Sequence, residues 1–372
     1  MAELDLFAEA NRQLTICNAC RYCEGLCPVF PAMEIRKVFT PNDIRYLSNL
    51  CHDCRACEQA CMFVAPHEFA ITFPRIMSEV RMESYEHWSW PRFLARSFSD
   101  TPKGVLLGLA AMAVVCATGF LMIPSHRLFA VHTEAGSFYQ IVPYLAMILP
   151  AMFLVMYGSV IWLQGGMRFW SEGKESPLLN APKGIGPLYR AVRDSFTVKY
   201  LGGGSAGCAY PTATPTQWRR VFHAFVFWGF LSDLVSTTLA FIYQDFLHIL
   251  PPYPLTSLPV IFGTAGGVAL VVGVAGLLVF KMRSDRAQAA DKAYGLDYAF
   301  LVFLGLAALT GLFTLIFRST AAMGTILIVH LATVAGLFLT APYGKFVHFV
   351  YRVFALIRYQ IEAQGAHPQG GH

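Results

Sequence analysis

Charge is scarce in this sequence: 14% of its 372 residues are Asp, Glu, Lys or Arg, whereas 55% are hydrophobic. Soluble globular chains carry about a quarter charged residues, so an ordinary soluble domain is excluded and a membrane protein with a soluble portion is expected. Catalytic signatures are lacking too. There is no Ser-His-Asp arrangement, no Walker loop and no nucleic-acid motif, so the excess of Lys and Arg is assigned to a membrane surface. A G-x-G-x-x-G match at Gly202, Gly204 and Gly207 runs straight into "CAYPTATP". Two prolines there prevent the helix whose N-terminus would hold a pyrophosphate, which excludes a dinucleotide site. The leading "MAELDLFAEANRQ" is acidic and lacks the apolar run of a secretory signal. The cysteines are therefore expected in a reducing cytoplasm, where close spacing means metal rather than disulfides.

What the chain does have is apolar runs of about 20 residues, the length that crosses a bilayer as helix. Six are read: Gly104–Pro124, Ile141–Gln164, Val221–Gln244, Leu255–Phe280, Tyr298–Phe317 and Thr320–Gly344. The third carries one formal charge, Asp233, and the sixth holds His330. Eight Lys and Arg lie between spans two and three, from Arg168 to Arg220; others follow span four (Lys281, Arg283, Arg286, Lys292) and span six (Lys345, Arg352, Arg358). The opposite loops offer Arg127 and Arg318. By the positive-inside rule both termini and the basic loops face the cytoplasm. Gly263 with Gly267, and Gly273 with Gly276, are read as close helix packing, and Cys116 as a small packing residue.

Eight of the ten cysteines fall in two runs, "CNACRYCEGLCP" and "CHDCRACEQAC". The spacing Cys17-x2-Cys20-x2-Cys23-x3-Cys27-Pro28 is that of bacterial ferredoxins, and Cys51-x2-Cys54-x2-Cys57-x3-Cys61 repeats it with Met62 in the proline's place. Three cysteines two residues apart wrap three corners of a cubane, and the fourth ligates the other cluster. Cys17, Cys20, Cys23 and Cys61 are therefore assigned to one [4Fe–4S] cluster, and Cys51, Cys54, Cys57 and Cys27 to a second. Structural zinc prefers paired C-x2-C ligands and fits the triple spacing poorly. The connector "TPNDIRYLSNL" reads as a capped helix with Asn42 or Asp43 near its start, which favours an α-helical ferredoxin-like domain. The fold class expected is all-α. Residues 1–98 form a cytoplasmic dicluster domain and 104–164 a first helix pair. A cytoplasmic loop (165–218), a four-helix haem-type bundle (219–358) and a flexible tail (359–372) complete it.

Histidines within apolar spans are costly and functional. His223 falls one turn into span three. His330 and His348 are 18 residues apart, five helical turns, and so share a face if span six runs on unbroken past Pro342. Their separation, about 27 Å of rise, puts His348 at the cytoplasmic edge, level with His223. A pair of histidines on different helices is a means of holding haem iron axially; the alternative is buried, hydrogen-bonded histidines. His330 has no histidine at its depth on span three, where Asp233 stands nearest. It is assigned either to a second haem or, with Asp233 and His248, to proton handling at a quinone pocket; Asp233 is alternatively a packing residue. Cys208 is read as structural or as a site residue.

Together the segments "ICNACRYCEGLCPVFPAMEIRKVF", "LCHDCRACEQACMFVAPHEFAI", "CAYPTATPTQWRRVFHAFVFWGF" and "PPYPLTSLPVIFGTAGG" resemble the citrate/tricarballylate-utilisation membrane proteins of the B type over most of the chain. The resemblance implies a protein of a prokaryotic inner membrane that reoxidises the reduced flavin of a partner dehydrogenase. Electrons would pass through iron–sulfur clusters and haem b to quinone, with substrate oxidised on the other polypeptide. The last four spans also resemble the haem-b subunits of nitrate reductase and heterodisulfide reductase, where four histidines on two helices hold two haems. His223, His348 and His330 match three of them, and Asp233 stands at the fourth position. The rival readings are a haem-free anchor bearing an iron–sulfur regulatory domain, and an electron-transfer anchor for a heterodisulfide- or glycolate-type oxidoreductase.

Overall fold

The computed structural model describes residues 3–99, 101–174, 184–205 and 207–366. It is all-helical: among the described residues there is no β-strand, and an antiparallel bridge joins Cys208 to Thr216. The N-terminal domain contains α1 (Glu3–Cys20), α2 (Val29–Glu34), α3 (Pro41–Leu50), α4 (Ala56–Gln59), α5 (Phe73–Trp88) and α6 (Arg92–Ser99). Helix α3 is the connector between the cysteine runs. Its N-cap is Thr40, two or three residues before the positions expected from sequence, and Asp43 supplies the reciprocal half of a capping box.

Six helices are long and apolar enough to cross a membrane: α7 (Thr101–Met122), α9 (Tyr144–Gly173), α11 (Trp218–Asp245), α12 (Leu258–Arg283), α13 (Asp291–Ile316) and α14 (Met323–Thr340). A short α8 (Ser125–Leu128) follows α7, and α10 (Ile185–Phe196) lies between α9 and α11. Small residues set how close these helices come. Gly263, Gly273 and Gly276 of α12 face Ser236, Val226 and Phe222 of α11, as their spacing predicted, and Gly229 lies against the backbone of Gly266. On the other side Gly336 of α14 lies against Met112 and the Gly108 carbonyl of α7. Cys116 is half-buried beside the Leu128–Ile328 cluster.

The sixth span departs from its expected course. Helix α14 ends at Thr340, residues 341–347 turn, and α15 (His348–Ala366) starts afresh. The unbroken helix assumed for His330 and His348 does not exist, so they have no common face. Pro342 lacks the N–H that would continue α14, and the backbone leaves helical geometry at Gly344. Residues 359–366 also differ from the flexible tail expected: they are helical and packed, while 367–372 lie outside the described residues.

The N-terminal domain sits on the end of the bundle where α9 and α14 finish and α11 starts. The two parts share one core. Trp88 meets Phe169 of α9 edge to face at 5.0 Å and Tyr351 of α15 at a tilt at 4.9 Å, all within a cluster that also holds Leu47, Met77 and Leu356. A closed ion network pins α15 to α3. Glu362, wholly buried, accepts from Arg36 (2.6 Å) and Arg358 (2.8 Å), and both arginines also reach Asp43 (2.9 and 3.1 Å). Two cations and two carboxylates cancel, and both guanidiniums lie on the Tyr46 ring. Removing one member of a buried ion cluster leaves its partners charged and dry, which costs about 3–5 kcal/mol. Glu362→Gln is thus expected to lower the thermal midpoint in detergent by several degrees; an unchanged midpoint would contradict this account of how α15 is held.

Candidate metal centres

The two cysteine runs fold as loops around helix ends. Cys17 and Cys20 close α1, and positive backbone φ at Arg21 (58°) and Gly25 (90°) turns the chain back to bring Cys23 and Cys27 round. In the second run Cys51 caps α3, Asp53 (51°) and Arg55 (60°) take left-handed conformations, and Cys57 rides on α4. Non-glycine residues there are uncommon and mark a constrained loop.

The thiols sort into two groups. Cys17 has Cys61, Cys23 and Cys20 as its charged neighbours, and these four line one cavity with Tyr22, Phe30 and Phe63. Cys57 faces Cys27, Cys54 and Cys51. The fourth cysteine of each run thus stands beside the first three of the other, with Cys23 also near Cys57. The groups adjoin: the Cys23 thiol lies 3.8 Å from the Cys57 carbonyl. Burial first, then neighbouring thiols, push Cys17 up to about 12 and Cys23 up to about 11. Burial likewise drives Cys27 and Cys57 well above the ordinary thiol range. Such crowding and burial favour neutral thiols unless a bound cation takes up the charge. Among the described residues no group of three or more His, Cys, Asp or Glu is placed to hold a single metal ion. Four sulfurs lining one cavity would fit the corners of a polynuclear cluster. The first group is the outer one, with Cys20 exposed, whereas Cys51 and Cys54 of the second are buried towards the bundle.

Arginines tie that inner group to the helices that carry the histidines. The Cys51 carbonyl accepts from Arg81 (2.7 Å) and from Arg352 (2.9 Å) on α15. The Asp53 carbonyl accepts from Arg219 on α11. Arg219 precedes His223 by four residues and Arg352 follows His348 by four, one helical turn in each case. Tyr210 is sandwiched between Arg219 and Arg55, 4.7 Å from each, and its hydroxyl donates to Ser284 at the end of α12. Gly203 lies against Ala56 of the second loop and Gly204 against Gly25 and Leu26 of the first, while Cys208 is buried, its thiol donates to the Leu201 carbonyl, and Ala209 N–H donates to Cys54 O at 2.9 Å.

His223 and His348 come together with ring centres 6.3 Å apart and planes at 88°. Two imidazoles on one metal, with metal–nitrogen bonds of about 2 Å, stand about 6 Å apart centre to centre. His348 Nδ1 lies 2.6 Å from the Lys345 carbonyl and so carries its proton there, which leaves Nε2 a lone pair for a ligand. His223 Nδ1 is buried without a hydrogen-bond partner among the described residues. The pair therefore fits an axially ligated iron, and Arg219, Lys345 and Arg352 form a cationic rim round His223 suited to carboxylate side groups. His330 and Asp233 are placed elsewhere. His330 Nδ1 lies 3.0 Å from Thr310 Oγ1 on α13, while Asp233 lies over Gly266 of α12. His248 sits in an exposed turn and does not join them.

A family model described as citrate utilization protein B matches residues 100–369, and its Fer4-like domain model matches residues 10–87. A protein of Escherichia coli named citrate utilization protein B is 40% identical over 359 residues, covering 95% of this chain and 92% of its own. The chain belongs to the citrate utilization protein B family. No solved structure matches it. Family membership accounts for the iron–sulfur-type domain in front of membrane helices. Sequence reading missed Arg81, Arg352 and Tyr210, and took Arg219 chiefly as a topology residue. The signal available was the four-residue spacing of arginine and histidine on two segments, visible only once both were known to face one loop.

Crossed ligation makes a separable prediction. Cys61→Ser should perturb the reduced-cluster EPR signal of the outer group, and Cys27→Ser that of the inner one. If each serine disturbed the signal of its own run instead, the assignment would be reversed.

Proposed function

We propose that this protein reoxidises the reduced flavin of a partner dehydrogenase of the citrate/tricarballylate type and passes the electrons to membrane quinone. The carriers are two [4Fe–4S] clusters, on Cys17, Cys20, Cys23 and Cys61 and on Cys51, Cys54, Cys57 and Cys27, and one haem b on His223 and His348. The clusters and the haem supply one-electron redox chemistry; the chain's residues fix their order. The outer cysteine group lies where a soluble flavoprotein can approach, and the inner group faces the bundle. The observation that carries this reading is the pair of arginines: Arg219 and Arg352 each join the inner cysteine loop to the helical turn next to a ligand histidine. The basic loops support a cytoplasmic position for the clusters, at a prokaryotic inner membrane. Substrate chemistry belongs to the partner, because this chain presents no flavin or acid site of its own in its motifs.

His330 is better accounted for by its Thr310 contact than as an axial ligand, and Asp233 by its place over Gly266. Pyridine haemochrome on quantified protein should give one haem per chain. His223→Ala should lose the Soret and α bands, whereas His330→Ala should keep them. Purified protein without any Soret band would leave an iron–sulfur membrane anchor and remove haem from the scheme. Mixing with the dehydrogenase and its acid should bleach the cluster absorbance; failure with every candidate acid would overturn the partner assignment.

A further inference from the structure

Helix α10 turns its apolar side away from the protein. A surface helix ordinarily presents its apolar stripe to the core and its polar side outward. Here the side that meets the protein carries Pro187, Ala191 and Asp194, all buried. Gln360 of α15 bonds this side, accepting from Arg190 at 3.1 Å and donating to Asp194 at 3.2 Å. Ile185, Leu188, Tyr189, Val192 and Phe196 stand opposite, at the i, i+3, i+4, i+7, i+11 spacing of one helical face. All five are exposed, Ile185 by 83% and Tyr189 by 64%. A contiguous apolar patch of this kind marks an interaction surface.

Two observations say what covers it. The first is depth. Phe196 packs edge to face on Phe227 at 5.5 Å and on Trp228 at 5.8 Å. Trp228 is itself exposed and lies ten residues, about 15 Å, into the spanning helix α11. The stripe is therefore continuous with the outer surface of a helix that runs through lipid. The second is charge. Arg190, Arg193, Lys199 and Arg220 lie on or beside α10, and among the described residues Asp194 is the carboxylate they bond, at 3.1 Å from Arg193 and 3.4 Å from Lys199. Arg190 meets the neutral Gln360 and Arg220 donates to the Thr197 carbonyl at 2.9 Å, so positive charge is left over.

We propose that α10 lies in the membrane interface, its stripe among the acyl chains and its surplus cations on the headgroups of anionic phospholipid. A soluble partner fits less well, because it would have to follow the stripe down to the level of Trp228. The seating bears on the cysteine loops as well. The chain leaves α10 for residues 199–205, where Gly203 lies against Ala56 of the second loop and Gly204 against Leu26 of the first. A lipid-seated α10 thereby ties both loops to the leaflet.

The test uses full-length protein in liposomes of phosphatidylcholine and phosphatidylglycerol. With Tyr189 replaced by p-benzoylphenylalanine, irradiation should give an adduct carrying the mass of a phospholipid. An adduct with a second copy of the chain would make the stripe a subunit contact and overturn the proposal. So would the absence of any adduct while the same probe in place of Phe153, exposed on α9, captures lipid. In wild type, diazirine-bearing phosphatidylglycerol should label residues 185–199 about fivefold more than the phosphatidylcholine probe, the preference one Lys or Arg near an anionic surface supplies. The triple variant Arg193→Gln, Lys199→Gln, Arg220→Gln should abolish that preference; equal labelling of wild type by both probes would overturn the headgroup assignment. Leu188→Glu with Val192→Glu, both on the outward face, should keep the thermal midpoint in detergent and the label on α9, yet lose most of the label on α10. Undiminished label there would overturn the seating of the stripe.

Discussion

Two peptide carbonyls, those of Cys51 and Asp53, are the junction on which the molecule depends. Each belongs to the inner cysteine loop, and each accepts from an arginine one turn from a histidine. Burying guanidinium groups is expensive unless their protons are satisfied and their charge is met. Arg81 and Arg352 converge on the same carbonyl, and burial, then the Arg81 charge, push Arg352 down to about 10. Protein groups alone leave this corner over-supplied with positive charge. A thiolate-ligated cluster, as proposed for this loop, would be anionic as a whole and would supply the counter-charge, and the cations would in return favour its reduced form. Electrostatics and docking therefore meet in a few atoms.

The ion network at Glu362 serves the same junction from behind. Arg352 reaches Cys51 only because α15 lies against α3, and α15 lies there because Glu362 and Arg358 close on Arg36 and Asp43. The aromatic wedge of Trp88, Phe169 and Tyr351 excludes water from the same seam. The second cysteine loop is thus held from several directions. Such over-determination is what keeps Asp53 and Arg55 in the left-handed backbone region, where neither would rest by preference.

Much of this was legible in the residues. Cysteine spacing is local and carries its own geometry, so the two runs and their gathering into neighbouring thiol groups could be anticipated from it. Span lengths are equally local, and six were read. The end of the sixth was not, because "LFLTAPYGKFVHFVYR" is apolar on both sides of the break and its periodicity does not say where one helix stops. The deduction that placed His348 level with His223 used an unbroken helix that the chain lacks; the two rings meet because the turn at 341–347 swings His348 onto a separate helix. The tail was misread for a different reason. Glu362 finds Arg36 across 326 residues, and no window along the chain can show that partner.

The arrangement has an energetic consequence. Both cysteine groups and the histidine pair lie at one end of the bundle, whereas His330 lies further along α14 towards the other. From His330 to the end of α14 is ten residues, about 15 Å of helix rise, so an electron would have to travel half the apolar layer to use that histidine. On the proposed path electrons are taken up and given up at that same end, so no charge crosses the membrane and the transmembrane potential, worth about 2.3 kcal/mol per charge per 100 mV, is neither stored nor spent. An Asp at the position where the haem-b subunits carry a fourth histidine is what such a one-sided carrier would tolerate. On that reading the bundle would deliver electrons into the membrane rather than through it.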